Sequence, residues 1–362
     1  MNILFVITGL GMGGAENLVV NLADKYSEQG HQVAIVYLLG EAIVIPVDKN
    51  IQLYPLDMNS YRDVISAYIK LRRVILDFQP DVVHSHMIHA NLLSRIVRLS
   101  THIANLVCTA HNTNEGGKLR MLAYRVTDHL ANVSTNVSGE AVARFIEMKA
   151  TTTGRMLSVP NGIDTVKFKF DLNKRLYYRN EFKDGDKKVI IAVGRFNKQK
   201  DYPNLFNAVA ILAEKRSDFC VKIVGDGPLR DDLVQLTREL NIERCIQFLG
   251  ISRDISGLMS ASDIFVLSSA FEGFGLVVAE AMACARAIVA TDCGGVSEVV
   301  GTAGLLVDVG DSTALANALI SQLNKSNKEL ADLGYQARER IVNNFSLDNT
   351  AKEYMKLFKG NY

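Results

Sequence analysis

The chain has 362 residues, of which 48% are hydrophobic and 22% are charged, and its net charge is +1. This length predicts two domains, and the balanced charge excludes a strongly basic nucleic-acid-binding protein. No apolar run reaches the roughly 18–20 residues of a membrane span. The five dispersed cysteines indicate free thiols in a reducing cytoplasm.

Apolar, β-branched runs alternate with amphipathic stretches in the first half of the chain. The opening run, Ile3–Ile7, lacks a basic leader and is predicted to be a strand, not a signal peptide. The other predicted strands are Val33–Tyr37, Val82–His84, Leu106–Thr109 and Leu157–Val159, and the predicted helices are Ala15–Gln29, Arg62–Phe78 and Ala90–Leu99. This alternation predicts a parallel sheet covered by helices on both faces.

A polar segment without a clean period, residues 161–188, is predicted to connect two domains. A second alternation follows it. The predicted strands are Val189–Val193, Cys220–Val224, Ile246–Leu249, Ile264–Leu267, Ala287–Ala290 and Leu305–Val307, and the predicted helices are Tyr202–Lys215, Leu229–Leu240, Gly275–Ala283 and those after Asp311. We therefore predict two doubly wound α/β domains, 1–160 and 161–346, with a C-terminal helix, 347–362, that packs back on the first.

The first candidate ligand loop runs from Gly9 to Glu16, between the first strand and the first helix. Its glycines permit close backbone approach, and N–H groups at a helix start suit a phosphate or a sugar oxygen. Gly9, Gly11 and Gly14 have the spacing of a dinucleotide fingerprint, but the acidic residue expected at the end of the second strand is missing. A tight turn without a ligand is the alternative interpretation.

The second candidate loop contains Arg195 and Lys200 and follows the first strand of the second domain. The planar Arg guanidinium matches phosphate oxygens, and Lys adds a point charge. Because the loop leads into a helix, whose dipole also favours an anion, we expect a diphosphate here; two solvated surface charges are the alternative.

The third candidate loop carries two glutamates that flank a Gly-Phe-Gly turn. Glu280 lies among apolar residues of a predicted helix, where a carboxylate is costly unless it is hydrogen-bonded, and ligand hydroxyls would serve. Glu272 precedes the helix and either caps it or binds a sugar ring. The amides of Gly275, Leu276 and Val277 are helix-start donors suited to phosphate. A salt bridge or a helix-surface position is the alternative for Glu280.

Together these segments resemble glycosyltransferase family 4, which consists of retaining, nucleotide-sugar-dependent enzymes of the GT-B fold. Glu272 and Glu280 lie in FEGFGLVVAEAMA, and Arg195 and Lys200 lie in VGRFNKQKDYPNL. The resemblance spans essentially the whole chain. One departure is Asp201, where many relatives have Gly, and we expect little consequence because the spacing of the two cations is kept. The other matching segments are GGAE (Gly13–Glu16), TAHN (with His111), SVPNGID (Ser158–Asp164), KIVGDGPLRDDL (Lys222–Leu233) and SASDIFVLSS (Ser260–Ser269).

The resemblance implies two Rossmann-like domains that face a cleft, with the acceptor in the first domain and the donor in the second. In the donor domain, Arg195 and Lys200 would hold the diphosphate. Glu272 and the backbone of Phe274, Gly275 and Leu276 would contact the transferred sugar and phosphate. Glu280 would bind the ribose hydroxyls.

The resemblance also implies donor contacts from the first domain, by Gly13 and Gly14, and a position near the anomeric centre for His111. No metal and no cofactor is expected, because fixed cations and amides neutralise the leaving nucleotide, and the sequence has no D-x-D motif. His84, His86 and His89 form a histidine cluster. No acidic or cysteine ligand completes it, so we interpret it as strand-end packing or an acceptor contact and not as a zinc site.

The predicted activity is sugar transfer, with retention, from a nucleotide diphosphate sugar to a hydroxyl. UDP is expected from its frequency in the family, and a lipid-linked saccharide of O-antigen, capsule or exopolysaccharide synthesis is the expected acceptor. We expect a cytoplasmic enzyme without nucleic-acid partners that contacts the inner membrane peripherally. The basic residues for that contact are Arg62, Lys70, Arg72, Arg73, Lys118, Arg120 and Arg125.

Other functions compete with this prediction. A GT-B epimerase or phosphorylase would share the donor site. An NAD-dependent dehydrogenase would use the amino-terminal glycine loop but lacks the ribose-binding acid and leaves the glutamate pair unexplained. A catalytically inactive nucleotide-sugar sensor would keep the site without turnover.

Overall fold

The computed structural model describes residues 1–113 and 115–361, with the backbone alone at Tyr61. It divides into two compact units. Unit 1 comprises Met1–Gly162 together with Leu347–Tyr362, and unit 2 comprises Ile163–Ser346. The observed division thus falls after Gly162, where the sequence analysis expected residue 160.

A seven-stranded parallel sheet forms the centre of unit 1. Its strands are β1 (Asn2–Gly9), β2 (Gln32–Leu39), β3 (Gln52–Pro55), β4 (Val82–His86), β5 (Asn105–Ala110), β6 (Val133–Asn136) and β7 (Met156–Ser158). They lie in the order β3-β2-β1-β4-β5-β6-β7. On β1, Ile3, Phe5 and Ile7 enter the core on one face, whereas Leu4 and Val6 enter the core on the other. Both faces are therefore buried, as the apolar runs predict.

Helices cover both faces of this sheet. They are α1 (Gly14–Glu28), α2 (Val64–Phe78), α3 (Ile88–Val97), α4 (Lys118–Thr127) and α5 (Gly139–Glu147). Leu18 of α1 packs with Ile3, whereas Leu71 of α2 and Leu93 of α3 pack with Leu4 on the opposite face. The sequence did not predict β3, β6 and α5, whereas α4 contains Lys118, Arg120 and Arg125, which were expected along one helical stretch.

Unit 2 repeats the doubly wound design with six parallel strands. They are β8 (Lys188–Val193), β9 (Phe219–Val224), β10 (Ile246–Gly250), β11 (Ile264–Leu267), β12 (Ala287–Thr291) and β13 (Leu305–Val307). The sheet order is β10-β9-β8-β11-β12-β13, so the winding direction reverses between β8 and β11. Such a reversal leaves a ligand-binding crevice beyond the carboxyl ends of the strands.

Eight helices are described in unit 2. They are α6 (Leu172–Glu181), α7 (Tyr202–Ala213), α8 (Arg230–Glu239), α9 (Ile255–Ala261), α10 (Leu276–Ala283), α11 (Val296–Val300), α12 (Ser312–Leu323) and α13 (Asn327–Asn344). The sequence did not predict α6, α9 and α11. It predicted α7, α8 and α10 to within about two residues at each end, and for α12 and α13 it predicted only that helices follow Asp311.

The prediction of a connecting segment over residues 161–188 is wrong in one respect, because this segment contains α6. No residue of α6 is buried. The helix packs on α9 through charge: Arg175 donates to the carbonyl of Ser262 at 2.9 Å and pairs with Asp263 at 2.7 Å, and Arg179 pairs with the same carboxylate at 2.5 Å. A helix held by ion pairs carries no apolar period, so the periodicity could not reveal it.

The last helix, α14 (Leu347–Phe358), packs on unit 1 although it follows unit 2 in the chain. Tyr26 of α1 donates to the carbonyl of Ala351 at 2.8 Å, and the Asn105 amide donates to the carbonyl of Leu357 at 2.8 Å. Tyr354 and Phe358 join the core of the β1 face.

Candidate active site

The Arg195–Lys200 loop and the glutamate loop meet at the reversal of the unit 2 sheet. The first loop follows β8 and the second follows β11, and these strands are neighbours. The Ala270 N–H donates to the carbonyl of Gln199 at 2.8 Å, and the Ser268 hydroxyl donates to the carbonyl of Lys200 at 2.8 Å. The two sequence motifs therefore form one structural site.

Lys200 and Glu272, which the resemblance assigns to different parts of a donor, contact each other directly. Their Nζ and Oε1 atoms are 2.5 Å apart, and the side chains are only 16% and 10% exposed. The buried Ser269 hydroxyl donates to the same carboxylate oxygen at 2.7 Å. Sequence reasoning missed Ser269, whose only signal is its place three residues before the glutamate.

The Arg195 side chain is exposed, and its guanidinium has no hydrogen-bond or ion-pair partner in the described part of the chain. Its loop is held by the Gly225–Gly227 turn: the Phe196 N–H donates to the carbonyl of Asp226 at 2.9 Å. A Cβ at Gly225, whose φ is +138°, would lie 2.0 Å from the Gly194 carbonyl oxygen. The GDG motif thus shapes the loop, while the guanidinium stays open to a ligand.

The turn before α10 has the geometry expected of a helix-start anion site. Gly275 caps the helix in the left-handed region, with φ +84°, and a Cβ there would lie 2.9 Å from a methyl group of Val296. Val278 and Ala279 donate the first hydrogen bonds within the helix. The N–H groups of Leu276 and Val277 come before them and are the helix-start donors of α10. Phe274 is buried and anchors the turn, its ring centroid 5.7 Å from that of Phe345.

Gly294, which the sequence did not single out, packs against the backbone of Glu272. A Cβ at Gly294, whose φ is +56°, would lie 1.7 Å from the Glu272 carbonyl oxygen. No other residue type fits this contact without moving the loop. The signal in the sequence was the Gly294-Gly295 pair, which begins three residues after the end of β12.

Glu280 lies on α10. Burial raises the pKa of its carboxyl to about 7, although the positive charges of Lys167 and Lys200 act in the opposite direction. A carboxylate in this setting gains from a hydrogen-bonding ligand, as the apolar pattern of the helix predicts. The departure at Asp201 has a conformational basis: its φ is +43°, a region that suits Gly, and its carboxylate caps α7.

In unit 1, Gly13 and Gly14 form the start of α1. Gly13 is the N-cap and Gly14 the first helical residue. The Glu16 side chain folds back over them, so that a Cβ at Gly13 would lie 2.2 Å from Glu16 Oε2. Burial raises the pKa of this carboxyl. The helix start is thus covered by the chain's own carboxylate.

His111 follows β5, next to the end of β4. Its Nε2 is 3.0 Å from Nδ1 of His86, and the rings of His86 and His84 are 4.0 Å apart. Burial lowers the pKa of His111 to about 4 and depresses the pKa values of the other two rings. All three imidazoles are therefore neutral at physiological pH.

Sequence reasoning missed Glu115, which fixes the backbone at His111. The His111 N–H donates to Glu115 Oε1 at 3.1 Å, and the carboxyl also accepts a bond from the Ile88 N–H. Burial raises the pKa of Glu115. Among residues 1–113 and 115–361, no group of three or more His, Cys, Asp or Glu side chains is arranged to hold a metal ion. Over the same residues no helix has the length and apolar character of a bilayer span.

The site residues thus divide between the units. Gly13, Gly14 and His111 lie in unit 1, whereas the charged residues, with Phe274, Gly275 and Leu276, lie together in unit 2. Two parallel doubly wound α/β units, the second with a phosphate-type loop pair at its switch point, are the architecture of GT-B glycosyltransferases. A solved structure of Anabaena Alr3699/HepE in complex with UDP has the same fold, with TM-score 0.86 and 21% identity, over 99% of this chain and 100% of that chain.

Sequence comparison gives the family. Residues 12–167 match Glycosyltransferase Family 4 and residues 173–340 match Glycosyl transferases group 1. The N-acetyl-alpha-D-glucosaminyl L-malate synthase of Bacillus anthracis is 26% identical over 366 residues, which cover 96% of this chain and 94% of that protein. The UDP-Gal:alpha-D-GlcNAc-diphosphoundecaprenol alpha-1,3-galactosyltransferase of Escherichia coli is 27% identical, over 78% and 76% of the two chains. The chain is a glycosyltransferase, with a Glycosyltransferase Family 4 domain over residues 12–167 and a Glycosyl transferases group 1 domain over residues 173–340.

Proposed function

We propose that this glycosyltransferase moves a sugar, with retention of configuration, from a UDP-sugar to a hydroxyl of a lipid-linked saccharide during cell-surface polysaccharide synthesis. The observation that carries the donor assignment is the open Arg195 guanidinium beside the Lys200–Glu272 pair at the switch point of unit 2. A diphosphate supplies the anionic oxygens that the Arg195 guanidinium lacks. The name of the Escherichia coli relative supports both the UDP donor and the lipid-linked acceptor.

The proposed reaction breaks the bond between the anomeric carbon and the β-phosphate oxygen of the donor and forms a bond from that carbon to the acceptor oxygen. The acceptor proton passes to the departing phosphate oxygen. Arg195, Lys200 and the N–H groups at the start of α10 stabilise the charge that develops on the diphosphate. No dedicated protein base is required in this scheme.

The remaining residues position the donor. Glu280 accepts hydrogen bonds from the ribose hydroxyls, and Glu272 orients the transferred sugar. In unit 1, we propose that Gly13, Gly14 and His111 also contact the donor and that this unit binds the acceptor. A phosphate that approaches Gly13 has to displace the Glu16 side chain, which now covers the helix start.

The experiment is transfer by the purified chain from radiolabelled UDP-sugars and GDP-sugars, with undecaprenyl-diphosphate saccharides and free sugars as separate acceptors. We expect turnover only with UDP donors and lipid-linked acceptors. NMR should show that the anomeric carbon of the transferred sugar has the same configuration in the product as in the donor. Turnover should persist in EDTA because fixed cations occupy the place of a metal. An inverted product, or loss of turnover in EDTA that magnesium restores, contradicts the proposed mechanism.

We also propose that unit 1 docks on an anionic membrane through α2, α3 and α4, since α3 contacts both of the other helices. Apolar side chains that a soluble helix normally buries are exposed here, for example Leu119, which is 84% exposed. The exposed apolar residues are Ile65, Ile69, Leu76, Ile96, Leu99, Leu119, Leu122 and Val126. The basic residues predicted from the sequence lie on α2 and α4 or directly before α2, and their charge complements anionic headgroups.

Sedimentation with liposomes tests this surface. We expect binding to phosphatidylglycerol vesicles at low salt and none to phosphatidylcholine vesicles. Leu122→Glu on α4 should abolish binding, whereas Leu176→Glu on α6, an equally exposed apolar position in unit 2, should leave it unchanged. Equal binding by both variants and the wild type argues against α4 as the docking helix.

A further inference from the structure

The hydrogen bond between His86 and His111 restricts the proton positions of both rings. A neutral imidazole carries one N–H, so in the 3.0 Å contact between His86 Nδ1 and His111 Nε2 one nitrogen donates and the other accepts. The donor is decided by what surrounds the other nitrogen of each ring.

The Nε2 atom of His86 is buried and has no hydrogen-bond partner in the described part of the chain. Its ring packs between Phe5, at 5.9 Å, and His84, at 4.0 Å between centroids. A buried N–H without an acceptor is rarer in proteins than a buried acceptor atom without a donor, and the unmade hydrogen bond costs the donor its desolvation energy. The proton of His86 therefore belongs on Nδ1, and Nδ1 donates to His111.

The same reasoning applies to His84 and supports the assignment. Its Nδ1 is buried without a partner, while its Nε2 lies 2.7 Å from the Thr109 hydroxyl. The His84 proton is thus on Nε2, and the Thr109 hydroxyl is left to donate to Thr135, 2.7 Å away. Both buried imidazoles then direct their single N–H to an acceptor.

We infer that His86 is a positioning residue that fixes His111 as the neutral tautomer with its proton on Nδ1. Since His111 Nε2 accepts the bond from His86, the remaining proton is on the other nitrogen. His111 then presents a hydrogen-bond donor to an oxygen atom of the ligand and does not act as a base. The kinetic part of this inference rests on the proposed donor contact of His111.

Long-range proton–nitrogen NMR of the ¹⁵N-labelled full chain tests the assignment, because the two ring nitrogens of each tautomer have distinct shifts. Signals of His111 are assigned by their loss in His111→Ala. We expect a protonated Nδ1 in the wild type and a mixture of tautomers in His86→Leu. His86→Asn, whose amide offers a donor near the former Nδ1, should restore the wild-type tautomer, and His102→Leu, at an exposed histidine, is the control.

Transfer assays accompany the NMR. We expect kcat to fall about tenfold in His86→Leu, the effect of one lost hydrogen bond, and to recover in His86→Asn. A proton on His111 Nε2 in the wild type, or an unchanged tautomer in His86→Leu, overturns the inference, and the wild-type spectrum alone decides it if that variant fails to fold. If the tautomer is as expected but His111→Ala keeps full activity, the tautomer assignment stands and the proposed donor contact is wrong.

Discussion

The two units differ in the charge of the side chains at the carboxyl ends of their strands. In unit 1, His84, His86 and His111 are neutral, because burial depresses their pKa values. In unit 2, Arg195 stands open as a cation, and Lys200 pairs with Glu272 in a nearly buried site. A sheet edge that keeps ionic groups is suited to a charged diphosphate, and one that suppresses charge is suited to neutral hydroxyls. Similar folds thus carry different chemistry through the residues that follow their strands.

The largest effects should come from the two glutamates of unit 2, which we expect to differ in kind. Glu272→Ala should lower kcat, because in the proposed reaction this carboxylate contacts a sugar whose charge changes, whereas Glu280→Ala should mainly raise the donor KM. Each loss should amount to about 2–4 kcal/mol if the contacts are desolvated. Donor saturation curves, with circular dichroism as the folding control, measure both effects. The reverse pattern would exchange the two roles.

The cations should follow closely. Arg195→Ala and Lys200→Ala should each reduce kcat/KM by about 10–150-fold, equivalent to roughly 1.5–3 kcal/mol for a charge-assisted phosphate contact. Lys198→Ala is the matched control, since this lysine is exposed in the same turn and should change kcat/KM less than about fivefold. If all three variants behave alike, the turn is not the phosphate site.

Glu280 and His111 should contribute to the pH dependence of stability with opposite signs. The pKa of Glu280 is raised from 4.5 to about 7, so the native state holds the proton longer and its free energy of unfolding falls as pH rises through that window. The pKa of His111 is lowered from 6.5 to about 4, so stability is lost as pH falls through that window. Each contribution is at most about 3 kcal/mol.

Urea unfolding from pH 4 to pH 8 checks these signs. Because the two windows overlap and the contributions offset each other, Glu280→Gln should make stability rise more steeply with pH between about 4 and 7, and His111→Gln should make it fall more steeply. Identical profiles for both variants and the wild type would mean that neither group is desolvated as described.

The smallest effect is expected at Asp201, which departs from the family pattern. Asp201→Gly relieves a left-handed backbone at φ +43° but removes the cap of α7, which accepts a long bond of 3.4 Å from the Asn204 N–H. We expect stability to change by less than about 1 kcal/mol and the donor KM to stay within about twofold. A large rise in KM would place this carboxylate in the donor site.

The sequence predicted the sheets well because buried parallel strands are apolar on both faces, as in Val189–Val193. It missed β6, whose residues Val133–Asn136 are mostly polar, since buried hydroxyls pair with one another there, as Thr135 does with Thr109. It also missed α6, which is held by ion pairs. The period of apolar residues reports burial, so elements stabilised by polar contacts escape it.

The charged half of the candidate site was visible in the sequence because its residues lie in two short motifs. The contacts between those motifs were not visible. Ser269 donates a hydrogen bond to the Glu272 carboxylate, and Gly294 leaves room for the Glu272 carbonyl because it has no side chain. No sequence motif predicts either contact. The His86–His111 contact joins residues at the ends of two neighbouring strands, 25 positions apart, and only the sheet order brings them together.

The return of α14 to the first sheet makes unit 2 an insertion within unit 1. Ile163 and Ser346, the two ends of the insertion, pair as a β-bridge, and a Cβ at Gly162 would lie 2.7 Å from the Cα of Leu347. A chain in which Leu347 directly follows Gly162 would keep all seven strands and the C-terminal helix that completes their core. The excised segment would have termini that already lie side by side, so each half can be produced, labelled or circularly permuted without cutting its sheet.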